Sequence, residues 1–251
     1  MKKLFIQICK LFGLELIDQN RFSSPTLNKE LNQDLSIFNK KSIILPLGEV
    51  KITRKVNSIL IIIRMNTEIE IWDQNKKRLF EQPKIEYTVR SINSLIKSIN
   101  FCKIKYPNLK IKTLIIDDNS NNENLNRIKK IIEKDDFEIV SLDHKRFEAK
   151  IKKQNSKETY SNLASLLQGF EIGKERGDDL IFFVEDDYLH FEPMLEEMVA
   201  SYERISSQIG KDIFMCPSDY PYLYMTNEKT NILIGNKRHW RTVNKTLCTF
   251  M

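Results

Sequence analysis

The chain has 251 residues, 41% of them hydrophobic and 29% charged, enough for one sizeable domain with an appendage and too apolar for a disordered chain. Formal net charge is +6, yet no basic run is interleaved with aromatics, so nucleic acid is not an expected partner. Cys9, Cys102, Cys216 and Cys248 form no CxxC pair, which argues against zinc and for reduced thiols in the cytoplasm, and no stretch approaches the roughly 20 apolar residues of a membrane span.

In chain order, Met1-Lys2-Lys3 precede a short apolar run that Gln7 and Lys10 interrupt. No small-residue cleavage site follows, so this is not read as a signal peptide. Leu4, Ile8, Leu11 and Phe12 share one helical face. Such a basic amphipathic helix either lies on the inner face of a membrane as a peripheral contact or docks on its own domain. Residues 1–57 read as a partly irregular N-terminal extension, with at most a small hairpin at Ile43–Leu45 and Glu49–Ile52.

The organised domain, residues 58–251, opens with Ile59–Ile63 as a buried strand. A helix is expected over Tyr87–Ile104, a strand over Leu114–Ile116, a helix over Leu125–Ile132 and a strand over Phe137–Leu142. A helix over Tyr160–Lys174 and a strand over Leu180–Val184 follow. This alternation predicts an α/β fold with a mostly parallel sheet flanked by helices. Beyond it come a helix over Pro193–Ile205 and strands over Ile213–Cys216, Asn231–Ile234 and Leu247–Met251. The last two would be joined by Gly235-Asn236 and a basic loop. No GxGxxG or GxxxxGK[ST] occurs, against a dinucleotide fold or a P-loop.

Charge is segregated. Asp178–Glu197 holds eight acidic residues and no Lys or Arg, whereas Lys229–Met251 holds five basic residues and no acid. Two acidic clusters close strands: Asp117-Asp118-Asn119-Ser120, and Glu185-Asp186-Asp187. An Asp at a strand end is commonly a turn former or helix cap. Three adjacent carboxylates exceed that need, and they repel unless a positive charge lies between them. In a parallel sheet both clusters fall on the ligand-binding edge. Mg²⁺ or Mn²⁺, held by one or two carboxylates and by substrate phosphates, is the expected cation.

The order strand, Asp-Asp-Asn-Ser, helix, strand, Asn-bearing helix, strand with acidic triplet resembles the nucleotide-sugar half of GT-A fold glycosyltransferases, family 2-like. Ile116-Asp117-Asp118-Asn119-Ser120 is similar to their strand-end DDxS element, and Glu185-Asp186-Asp187 stands at the DxD position. The triplet also looks like the Glu-Asp-Asp form of the Golgi N-acetylglucosaminyltransferases. The resemblance covers residues 58–200 as a donor half and leaves 201–251 as an incomplete acceptor half, so the chain reads as C-terminally truncated or unusually short. It implies a metal-dependent transferase moving a sugar from a nucleotide-diphospho-sugar to a glycan or lipid-linked acceptor, by analogy in surface polysaccharide synthesis. It implies that Asp118 binds the base, Asp186 the ribose and Asp187 the metal. Glu185 would face the donor sugar, and Arg64, Asn66 and Asn162 would line the nucleotide site.

An inverting transferase also needs a base for the acceptor hydroxyl. Asp219, in Pro217-Ser218-Asp219-Tyr220-Pro221, is the candidate, against a plain turn. Gly235–Arg241 reads either as a phosphate or sugar lip or as a hairpin with a half-buried Trp240. Two other functions stay open. One is a degenerate or truncated domain that binds a sugar nucleotide or partner without turnover. The other is a sugar-1-phosphate nucleotidyltransferase, although Arg64–Glu68 lacks the Gly-rich signature of that class.

Overall fold

The computed structural model describes residues 2–13, 50–68, 82–151, 157–218, 230–243 and 249–251. Helix α1 spans Lys2–Leu11, and Phe5, Ile8, Leu11 and Phe12 are exposed. No described helix is long and apolar enough to cross a membrane. Most of the hairpin expected at residues 43–52 lies outside the described residues.

The α/β expectation holds. Strands β1 (Ser58–Met65), β2 (Lys110–Asp117), β3 (Phe137–Ser141) and β4 (Leu180–Glu185) form one parallel sheet in the order β3-β2-β1-β4. Helices α2 (Lys84–Lys105), α3 (Asn122–Ile132) and α4 (Lys157–Arg176) connect them, and α5 (Met194–Ile209) follows β4.

Side-chain alternation in β1 explains the layers. Ile59, Ile61, Ile63 and Met65 pack with Ile92, Leu95, Ile128 and Met198 of α2, α3 and α5. Leu60 and Ile62 turn the other way, onto Ala164, Leu163 and Leu167 of α4. The chain reverses its direction of sheet growth between β1 and β4. In open α/β sheets that switch point leaves a crevice outside the C-terminal strand ends.

The opposite edge is tied by polar groups. Arg54 bridges Asp179 at 2.6 Å and Asp212 at 2.9 Å, and Ser207 accepts from the Thr53 and Arg54 amides. Gly210, at φ 66°, ends α5 in the left-handed conformation that glycine adopts without a Cβ penalty.

The C-terminal part departs from the sequence expectation. Ile232–Ile234 (β5) pairs with His239–Arg241 (β6), so Asn231–Ile234 closes a local hairpin, while of the strand expected over residues 247–251 only 249–251 are described. Phe250 pairs antiparallel with Phe183 of β4 through two backbone bonds, of 2.7 and 3.1 Å. Met251 exchanges two backbone bonds with Met215, so 213–216 is an extended partner of the chain end without regular strand pairing. Phe250 thus covers a position on the β4 edge that would otherwise present unpaired amides.

Candidate functional site

Glu185 ends β4, and Asp186 and Asp187 follow it in the turn. Glu185 lies on the α4 side with Arg64, which it faces in strict register across β1 and β4. Arg64 Nη2 donates to Glu185 Oε1 at 2.8 Å, and Arg64 Nη1 to Asn162 Oδ1 at 2.6 Å. Asn162 therefore fixes a guanidinium through α4. Burial pushes the Glu185 carboxyl up, and Arg64 opposes that shift.

Asp186 turns to the α2 side and is buried. Lys84 Nζ stands 2.7 Å from its Oδ1, while Thr88 Oγ1 at 2.9 Å and the Asn66 amide at 3.3 Å donate to Oδ2. Burial raises the Asp186 carboxyl, against Lys84 and Thr88. Asp187, half-exposed at 46%, meets the same ammonium at 2.9 Å. Burial would lower the Lys84 pKa, but Asp186 and Asp187 outweigh it and the pKa is raised.

The second acidic strand end reaches the same crevice. Asn66 Nδ2 donates to Asp118 Oδ2 at 3.0 Å, so this one residue touches both acidic clusters. His144 Nε2 lies 2.7 Å from Asp118 Oδ1. Its backbone carbonyl accepts from the Tyr160 hydroxyl at 2.6 Å, and its ring stacks beside Tyr160 at 6.3 Å. Asn119, at φ 56°, places its side-chain amide 3.1 Å from His144 Nε2. Asp117 is different: it accepts from the Ser120 amide and is buried, which raises its carboxyl, so it shapes the turn.

The structure thus brings Arg64, Asn66, Asp118, Asn162, Glu185, Asp186 and Asp187 to the C-terminal edge of the sheet. Asp219 lies outside the described residues. Lys84, Thr88 and His144 belong to the site and carried no motif in the sequence. A Lys beginning a helix and a lone His in a polar loop are ordinary on their own.

Two arrangements bear on the expected cation and on the two readings of the basic hairpin. The positive charge between the carboxylates is Lys84, so the repulsion that pointed to a divalent cation is already met inside the chain. As the side chains stand, the donor set does not fit Mg²⁺ or Mn²⁺ at Asp187. An ion bridging Asp186 and Asp187 would compete for the space of the ammonium, and Asp186 accepts from three donors already.

The basic hairpin, His239 included, is also elsewhere. Glu197 of α5 accepts from the Asn236, Lys237 and Arg238 amides and from Trp240 Nε1. Lys237 and Lys105 both pair with Glu196. Lys105 ends α2 and Lys84 begins it, roughly 30 Å apart at the rise of an α-helix. The hairpin is therefore structural and forms no lip over the triplet.

Comparison with protein-family models, curated proteins and solved structures finds no match.

Proposed function

We propose that the crevice between β1 and β4 binds a nucleotide-diphospho-sugar and that the chain is a GT-A-like glycosyltransferase acting on a glycan or lipid-linked acceptor. The observation that carries this reading is Asn66, which ties the acidic end of β2 to the acidic end of β4 across a topological switch point. A nucleoside diphosphate asks for this pairing. One end must recognise a base and the other must order a diphosphate and sugar. Asp118 and His144 lie at the β2–β3 end, where a base would sit. Glu185 and Asp187 are the more exposed members of the triplet, which supports their reach toward a donor. Arg64 and Lys84 supply the cations that such a ligand needs.

A binding domain without turnover is the second reading. It is favoured by the inward partners of Asp118 and Asp186, each of whose carboxylate oxygens meets another protein group.

One experiment separates the readings: incubation with a panel of nucleotide-diphospho-sugars, followed by nucleotide analysis and thermal shift, with and without Mn²⁺. Release of nucleoside diphosphate supports the transferase. Stabilisation without release supports the binding domain. Pyrophosphate formation from a sugar 1-phosphate and a nucleoside triphosphate indicates a nucleotidyltransferase. If no nucleotide stabilises the protein under any condition, the donor reading falls.

A further inference from the structure

We infer that Lys84 stands in the place of a divalent cation, so that a nucleoside diphosphate binds this crevice without metal. The inference rests on the donor reading above and deepens it.

The argument starts from charge. Three carboxylates, Glu185, Asp186 and Asp187, face one guanidinium and one ammonium, Arg64 and Lys84. Three negative charges against two positive leave one, and it falls on half-exposed Asp187, where water screens it. A metal bridging two aspartates lies between their oxygens. Here that place belongs to an ammonium, 2.7 Å from Asp186 and 2.9 Å from Asp187. Its position is built in. Lys84 is the first residue of α2, and Thr88, one turn on, donates to the same Asp186. The helix thus delivers both groups from one face.

An ammonium has three donors. Among the described residues Asp186 and Asp187 take two, which leaves one for a phosphate oxygen. The start of α2 adds to this. Pro83 precedes it and, among the described residues, makes no side-chain cap, so the positive end of the helix dipole lies beside Lys84. Arg64, on the other face of the sheet, is a second cation at the same strand ends.

The test is nucleoside diphosphate binding by titration calorimetry on the full chain. Uridine, guanosine, cytidine and adenosine diphosphates are each titrated in EDTA and in Mn²⁺. The expected result is one diphosphate whose Kd differs by less than about threefold between the two conditions, far from the tenfold that about 1.4 kcal/mol would give. Binding seen only with Mn²⁺, or tightened about tenfold or more by it, overturns the inference while keeping the donor reading. Binding in neither condition removes the donor reading and this inference with it.

Lys84→Ala sharpens the result. It should weaken binding at least about tenfold in EDTA and regain it in Mn²⁺, because the vacated carboxylates become a metal site. Wild-type affinity of Lys84→Ala in EDTA overturns the inference. Should Lys84→Ala fail to fold, Lys84→Arg keeps the charge and must bind in EDTA. Its dependence on Mn²⁺ would count against the inference.

Discussion

Lys84 holds the buried carboxylate of Asp186 at 2.7 Å, and so fastens the start of α2 to the first turn after β4 by charge. Both side chains are about nine-tenths buried, at 11% and 8% exposure. Removing one partner of such a pair strands the other in low dielectric. Lys84→Met should therefore cost about 3–5 kcal/mol of stability. Adding Asp186→Asn should return part of that loss, since no buried charge is then left alone. Urea denaturation of the two variants and the wild type checks this, and a cost for Lys84→Met under about 1 kcal/mol would show that the pair is not a buried contact.

Asp187 should behave otherwise. Its side chain is 46% exposed, and its bond to Lys84 is screened by water. Asp187→Asn should change stability by no more than about 1 kcal/mol in the same assay. The contrast between neighbouring aspartates follows from their burial in the turn after β4, where Asp186 packs onto α2 and Asp187 stands half in water. Equal losses in Asp186→Asn and Asp187→Asn would contradict that placement.

Alkaline pH should release the Lys84 contact. Its pKa is raised in the fold, so its contribution is fully present below the unfolded value near 10.5 and is lost as pH climbs through the higher folded value. Tyr106, Tyr202 and Cys102, each pushed up to about 12 mainly by burial, lose stability in the same direction and exist in every variant. The diagnostic quantity is the Tm difference between wild type and Lys84→Met. It should be constant from neutral pH to about 10 and shrink above that, as the wild-type lysine also becomes neutral. A difference that widens with pH would reverse the sign of the linkage.

The sheet was legible in the sequence because β1 and β4 are unbroken apolar runs between turn residues. Ile59–Ile63 and Leu180–Val184 are such runs, and their acidic ends mark the ligand edge without any tertiary knowledge. Helix ends shifted by up to three residues at α2, α3 and α4, where polar first and last turns carry no apolar period. Lys84 was not legible because its partners are distant in sequence and the charge of a residue beside Pro83 reads as a solvated helix start. The C-terminal pairings failed for a related reason. A short strand names no partner, and Phe250 found β4 where the sequence offered β5 as a nearer one.

The basic hairpin gives the last test, because the sequence left it between a ligand lip and a hairpin with a half-buried Trp240, and the structure has the second. Glu197 is buried and accepts from three successive backbone amides and from Trp240. Gly235 makes the approach possible. A Cβ there would stand 2.4 Å from Ser201 Oγ and 2.6 Å from Glu197 Oε1. Glu197→Ala removes the charged acceptor of these part-buried bonds, at about 1.5–3 kcal/mol for hydrogen bonds to a charged group. Gly235→Ala forces the hairpin off α5 and should cost about 1–3 kcal/mol, as overpacking does. Both should red-shift Trp240 emission as its indole N–H loses Glu197 and meets water. Neither should change nucleoside diphosphate affinity by more than about twofold, because the hairpin sits a helix length from Lys84. A large loss of nucleotide binding in either variant, at full folding, would return the hairpin to the ligand site.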